Sequence, residues 1–566
     1  MEQNPTETIA IIGAGPSGLF MLKNLLQHSK PNRIISIFEK KQTLGAGMPY
    51  SEEGANVEHI TNVSANEIPE LVTSVAEWLE GVPTDVLDIY NINADYFNEY
   101  KVLPRLLFGS YLEAQFHLLL LAAERSGVEI NLYLNSKIKD IKEAPATEKV
   151  KIFLENGDHF EFDRLVVCTG HSWPKKLEGK IEGYFDSPYP PAKLKFKANH
   201  PVAIKGSSLT AIDAIRTLSR FNGTYSQDKD GKFSFTKNAD SPDFKIVMHS
   251  RSGLLPAVRF HLEDSHLGTT SLLSEKEIQA HIKSNGGFLS LDYIFDQNFK
   301  KILLERDPDL YAKIASMKVE EFTETMLKYR EGVDAFELLK QEFENAAKSI
   351  DRKESIYWKE LLAILSFALN YPAKYLSAED MIRLQKSLMP LISVIIAFVP
   401  QSSAAELLAL HQAGVLEIIA VGEDSDVIEN EEGGIYYKYS DENGAHLDYY
   451  KTFVNCVGQP HFSIESFPFE GLRDGTVSAA FLEFKSEQEG KEAEKENKNV
   501  FKSDDKFLLK VPGIRINDDF QVIGEDGKAN NSIFVMAVPY IGGYNPDYSG
   551  LDFCEEASGR IANTLQ

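Results

Sequence analysis

Cysteine is scarce: Cys168, Cys456 and Cys554 are the only three in 566 residues. They lie far apart and form no Cys-x-x-Cys pair, which excludes the dithiol chemistry of disulfide reductases and points to a reducing compartment. Basic charge is in deficit too, with 59 Lys and Arg against 84 Asp and Glu, a formal net charge of −25. Such a surface repels phosphate, so no nucleic acid is expected as a partner. Long hydrophobic runs are missing. LISVIIAFV at 391–399 is bounded by Pro390 and Pro400 and is about half of the roughly 20 residues that cross a bilayer. The opening MEQNPTET has neither the basic start nor the apolar core of a signal peptide. These absences predict a cytoplasmic protein with no membrane partner. HExxH pairs, Cys/His clusters at zinc spacing and the G-x-S-x-G nucleophile elbow are also lacking, and no metal is expected.

What is present begins at 8–19, TIAIIGAGPSGL. An apolar strand breaks into Gly13, Gly15 and Gly18 and then into a helix whose Leu19, Leu22 and Leu26 recur at helical spacing. The next strand, RIISIFE, ends on Glu39, with Lys40 beside it. Gly13 permits the tight turn, Gly15 lets a pyrophosphate approach the backbone, and Gly18 lets helix and strand pack closely. The helix start, with Pro16 and Ser17, offers N–H groups and positive potential to phosphate, while Glu39 can accept from a ribose hydroxyl. This loop is a dinucleotide site.

Further along, 104–126 predicts a helix, and strands are expected at 129–134 and 150–154, with an Asn156–Gly157 turn leading into HFEFDRLVVCTG. Within that last strand Cys168 reads as a small buried hydrophobe. A second strand-turn-helix unit starts at 201 with PVAIKGSSLTAID, and its returning strand, FKIVMHSR, comes at 244–251. Residues 273–415 are helical by pattern. The stretch 483–506 is charge-dense and poor in large apolar residues, so it predicts a mobile loop.

The chain resembles the flavoproteins with two dinucleotide-binding domains, in which FAD occupies the N-terminal site. The resemblance rests on LGAGMPYS (44–51), on LVVCTG ending in Thr169–Gly170, and on SIFVMAVPYIGGYNPDYSGLDFCEEASGRIA (532–562). More narrowly it is similar to the bacterial family of FAD/NAD(P)-binding proteins, through HITNVSA (59–65), PRLLFGSYL (104–112), SLTAID and SRSGLLP (250–256). The resemblance implies FAD held by Gly13, Gly15, Pro16, Ser17, Gly18, Glu39, Lys40, Arg105, Thr169, Gly170, Asp547, Gly550 and Leu551. It also implies a flavin-facing segment at 59–69, in which His59 would shuttle a proton and Asn62 would hydrogen-bond the ring. The Gly-Asp pair that many such flavoproteins carry near the C-terminus is absent here.

In that family the second loop holds NAD(P)H. Here it reads Gly206-Ser207-Ser208-Leu209-Thr210-Ala211, with Ser208 where the middle glycine belongs. Ser adds a side chain where backbone should approach phosphate, although its hydroxyl can donate to a phosphate oxygen. The companion strand ends in Ser250 and Arg251 rather than an acid, which suits the 2′-phosphate of NADP.

The expected fold is α/β, with two Rossmann-like dinucleotide-binding domains, the FAD domain discontinuous, and a large helical insertion. The FAD domain takes 1–195 and 507–566, the NAD(P)-binding-like domain 196–272 and 416–482, the insertion 273–415, and the mobile loop 483–506. The expected function is that of an FAD-dependent oxidoreductase, NADPH-reduced and most like the class B flavin monooxygenases and amine N-hydroxylases, acting on a small molecule. Two alternatives stay open: a flavin oxidase or dehydrogenase that does not use NAD(P)H, and a flavin-holding sensor or binding protein. Substrate and oligomeric state are not readable from the chain.

Overall fold

Apolar strands that end in glycine turns and feed amphipathic helices pack as parallel sheets buried on both faces. The computed structural model contains two of them. It describes residues 6–566 apart from 29, 31, 95–96, 145, 172, 264–271, 460–461 and 545–549.

The first sheet has six strands in the spatial order Gln521–Ile523, Ala529–Val535, Arg164–Val167, Glu7–Ile12, Arg33–Phe38, Glu129–Tyr133. All neighbours are parallel except the outer pair Gln521–Ile523 and Ala529–Val535. The second has five parallel strands, Tyr184–Phe185, Thr452–Asn455, Pro201–Lys205, Lys245–Ser250 and Leu416–Ala420. The inner arrangement repeats: each glycine-loop strand lies between its companion strand and a strand ending in a cysteine position. Ile9, Ile11, Ile35, Ile37, Val166 and Ile204 are fully buried at these centres.

Between the last two strands of the second sheet the chain runs through helices from Glu275 to Gln412, as the pattern over 273–415 predicts. The apolar run at 391–399 supplies the buried Leu391, Ile392 and Ile395 of this layer. The helix Arg105–Arg125 is long and apolar enough to cross a membrane, but half of that stretch is buried inside the fold.

Three boundaries differ from expectation. Tyr184–Phe185 falls inside the expected 1–195 unit yet pairs with Thr452–Asn455 of the second sheet. Ala479–Glu483 crosses the expected boundary at 482, and it pairs with Lys506–Ile514. The third concerns 483–506, expected as a mobile loop, which forms the helix Glu487–Glu496 and the strand Val500–Ser503. Few apolar residues suffice there because they fall at the contacts. Ser486 caps the helix through Glu489 N, Gly490 lets it sit on Phe507, and buried Val500 pairs with Leu509.

Candidate functional site

The first loop is built from backbone sterics. Gly13 has φ +98°, and a Cβ on it would lie 2.9 Å from the Cys168 carbonyl oxygen. Its N–H donates to Phe38 O at 2.8 Å, while Cys168 N donates to Ile12 O at 2.8 Å. Three strands are thereby tied at one point. A Cβ on Gly18 would meet Gly13 O at 2.1 Å, so only glycine allows the helix Pro16–Gln27 to start this close to its strand. No side chain caps that helix, which leaves its first N–H groups to a ligand.

A cleft of about 470 Å³ opens at this loop, within the range of small-ligand sites. Gly13, Gly15, Pro16, Ser17, Glu39, Lys40, Thr169, Gly170, Gly550 and Leu551 all line it. Gly18 supports the loop from below. Glu39 is buried, with Oε2 accepting from Ala14 N at 2.8 Å and Oε1 from Lys41 N at 3.0 Å. Thr169 Oγ1 is buried without a hydrogen-bond partner among the described residues, a donor and acceptor standing ready on the cleft wall. Bare backbone at Gly15, a carboxylate at the strand end and this free hydroxyl fit a dinucleotide. Asp547 lies outside the described residues.

Sequence reasoning missed part of the wall. Tyr50 lines the cleft, packs edge-on against Phe108 at 4.9 Å, and has its phenol pushed up to about 12 by burial, so it stays a neutral donor. Lys41, in an ion pair with Glu53 at 2.6 Å, and Cys554, whose Sγ is 3.4 Å from Ser17 Oγ, also face it. The left-handed Gly45 and Gly47 beside them were a signal in the sequence. Tyr540 falls within the 532–562 segment that the resemblance placed at the flavin, whereas Phe469 had no such signal.

Besides Gly18, three expected residues do not line the cleft. His59 is fully buried, with Nδ1 accepting from Asn56 N at 2.9 Å and Nε2 3.1 Å from Asp213 O. Burial holds its pKa below the ordinary value, against the opposing pull of the Asp213 charge. It is a neutral clamp between segments, not a proton shuttle at the cleft. Asn62 is exposed, and its carbonyl accepts from Arg259. Arg105 donates through Nε to Ile60 O at 3.0 Å and through a terminal nitrogen to Asp213 Oδ2 at 2.5 Å. Asp213, which also accepts from Tyr189 Oη at 2.7 Å, belongs to the helix after the second loop. Arg105 therefore joins the two nucleotide units.

The second loop copies the first. Gly206 has φ +110°, and its Cβ would lie 2.9 Å from Cys456 O. Gly206 N donates to His249 O at 2.8 Å, and Cys456 N to Lys205 O at 2.9 Å. Ser208 (φ −91°, ψ −168°) takes nearly the backbone conformation of Gly15 (φ −75°, ψ −162°). Its side chain is exposed and makes no cap, so the serine is accommodated without strain. Ser207 Oγ donates to Leu254 O at 2.8 Å, and Ser250 Oγ accepts from Gly253 N at 2.9 Å. Arg251 is exposed, its nearest carboxylate, Glu423, 4.0 Å away.

Residues 10–172 match a family model described as FAD-NAD(P)-binding, and 274–396 match one described as the YdhS-like middle domain. The chain is 30% identical over 478 residues to the uncharacterized protein YdhS of Escherichia coli (strain K12), covering 82% of this chain and 86% of that one. Among solved structures it is similar to the ornithine N-hydroxylase KtzI of Kutzneria sp. 744, at 12% identity and TM-score 0.47 over 99% of each chain. It is also similar to DfoA, the cadaverine monooxygenase of Erwinia amylovora, at 13% identity and TM-score 0.44 over 100% of this chain and 95% of that one.

Proposed function

The chain belongs to the family of YdhS, flavoproteins with an FAD/NAD(P)-binding domain and a YdhS-like middle domain, and we propose that it is an FAD-dependent oxidoreductase reduced by NADPH and acting as a monooxygenase on a small molecule. The observation that carries the reading is the matched geometry of the two loops. Gly13 and Gly206 hold the same left-handed turn against the same kind of neighbouring carbonyl.

In this reading the Gly13–Gly18 loop and the helix start hold the FAD pyrophosphate, Glu39 accepts from its ribose, and Thr169 Oγ1 and the neutral Tyr50 phenol hydrogen-bond along the cleft. Bound FAD supplies hydride acceptance and oxygen chemistry. At the second site the backbone from Gly206 to the Leu209–Asn222 helix would hold the NADPH pyrophosphate, with the Ser208 hydroxyl donating to it. Arg251, exposed and held only by a 4.0 Å contact, is free to meet the 2′-phosphate, because an exposed pair of this kind is weak.

The test is an anaerobic titration of the purified protein with NADPH and then NADH, following flavin absorbance. Bleaching by NADPH, weakened when Arg251 is replaced by Ala, supports the reading, and admitting oxygen then tests the monooxygenase step. A second reading, a flavin oxidase or dehydrogenase without NAD(P)H, is favoured by Ser208 standing in the middle-glycine position. It prevails if neither nucleotide bleaches the flavin with or without candidate substrates.

A further inference from the structure

A second cavity, of about 300 Å³, lies between the inserted helices and the helix Gly550–Thr564. The nucleotide sites do not use it. Ile278, Ile294, Phe367 and Pro372 give it an apolar wall. Its charged lining is lopsided: Glu275, Asp518, Asp519 and Glu556 face one cation, Arg560. That cation is already engaged, 3.3 Å from Glu275 and 3.4 Å from Glu556, with its guanidinium 4.0 Å from the centre of the Tyr371 ring. Asp518 is held by Lys374, which lies outside the lining, and by Tyr375 Oη, within it, at 2.5 Å.

Asn298, also in the lining, is 2% exposed and its Oδ1 has no hydrogen-bond partner among the described residues. It sits in the π-helical turn Asp296–Lys300, between the helices Leu291–Phe295 and Lys301–Arg306. Such turns are retained at functional sites more often than elsewhere in helices, and a buried acceptor left without a donor is rare in folded proteins.

We propose that this cavity binds a small organic amine. Its ammonium group donates to Asn298 Oδ1 and Glu556, and its hydrocarbon lies on Ile278, Ile294 and Phe367. An ammonium carries three donors and no acceptor, which is what a lining rich in acceptors lacks. A carboxylate ligand would meet four carboxylates, and a neutral alcohol would leave the charge imbalance in place. Burial holds the Glu556 carboxyl above its ordinary pKa despite Arg560, and a second cation beside it offsets that penalty. The site stands independently of which nucleotide reduces the flavin.

Calorimetric titration of the full chain tests this with butylamine and phenethylamine, their alcohol counterparts, and butyrate. The amines are expected to give saturable heats at millimolar concentration and to bind about tenfold or more tighter than the alcohols, as charge-assisted hydrogen bonds require. Glu556→Gln keeps the shape of the wall and is expected to weaken the amines about tenfold. Asn298→Leu is expected to weaken them similarly without lowering the thermal midpoint, because it removes the buried orphan. Alcohols or butyrate binding as tightly as the amines would overturn the proposal. So would the absence of saturable heat with every probe, which would assign the cavity to water.

Discussion

Asp213→Ala is the most informative single perturbation. Its carboxylate joins the helix of the second nucleotide unit to Arg105 at 2.5 Å and to Tyr189 at 2.7 Å. Only 6% of the Asp213 side chain and 15% of the Arg105 side chain is exposed. Removing one partner of a buried pair strands the other charge and costs about 3–5 kcal/mol, whereas replacing both by apolar residues of similar volume is close to neutral. Asp213→Ala should therefore lower unfolding free energy by ~3–5 kcal/mol, and Asp213→Leu combined with Arg105→Met should recover most of that loss. Burial alone would raise the Asp213 pKa, but the Arg105 charge and the Tyr189 hydroxyl oppose it and the net shift is downward. A carboxylate whose folded pKa is depressed contributes stability in full above its unfolded value of about 3.9, and that contribution is lost as pH falls through the lower folded value. The wild type should thus lose stability on this account only below about pH 4, and Asp213→Asn should lack that component. Urea unfolding from neutral to acidic pH reads both effects. A loss under about 1 kcal/mol for Asp213→Ala, with no recovery in the double variant, would refute the argument.

Two further outcomes are expected. Gly18→Ala places a Cβ 2.1 Å from Gly13 O and should purify with at least about tenfold less bound flavin, whereas Gly157→Ala, at positive φ but in open space, should cost about 1–2 kcal/mol of stability and keep its flavin; the absorbance ratio of flavin to protein decides. Gly490→Leu drives a side chain into Phe507, 2.4 Å from the Cβ position. It should open 487–503 to limited proteolysis while costing about 1–3 kcal/mol, and an unchanged digestion pattern would count against the packing described for that segment.

Legibility followed the range of the forces. The first loop could be read because its glycines stand at fixed spacing between an apolar strand and a helix, and of the described FAD residues expected there all but Gly18 and Arg105 reached the cleft wall. The second loop was equally legible in its turn, and Ser208 fits it without strain because its backbone needs no left-handed φ. His59 misled because its role depends on Asp213, 154 residues away, which no local pattern announces. Composition misread 483–506 for a related reason. An average over charges conceals Gly490 and Val500, the two positions that make the contacts. The boundaries at Tyr184 and Ala479 were invisible because a strand's allegiance is set by its partner and not by its own residues.

The helix Gly550–Thr564 lies against Pro16–Gln27. Lys23 bonds Glu555, Asn24 bonds Ser558, and Arg33 reaches Leu565 O at 2.6 Å. Those partners are more than 500 residues apart along the chain. On a ribosome that separation is time. The side of the helix Pro16–Gln27 that meets Gly550–Thr564 is made before the second sheet and the inserted helices, and it must wait, uncovered, while both are synthesised. The first sheet's unit therefore closes only after the second sheet has been made, and retention of its nucleotide reports that the helix Gly550–Thr564 has docked.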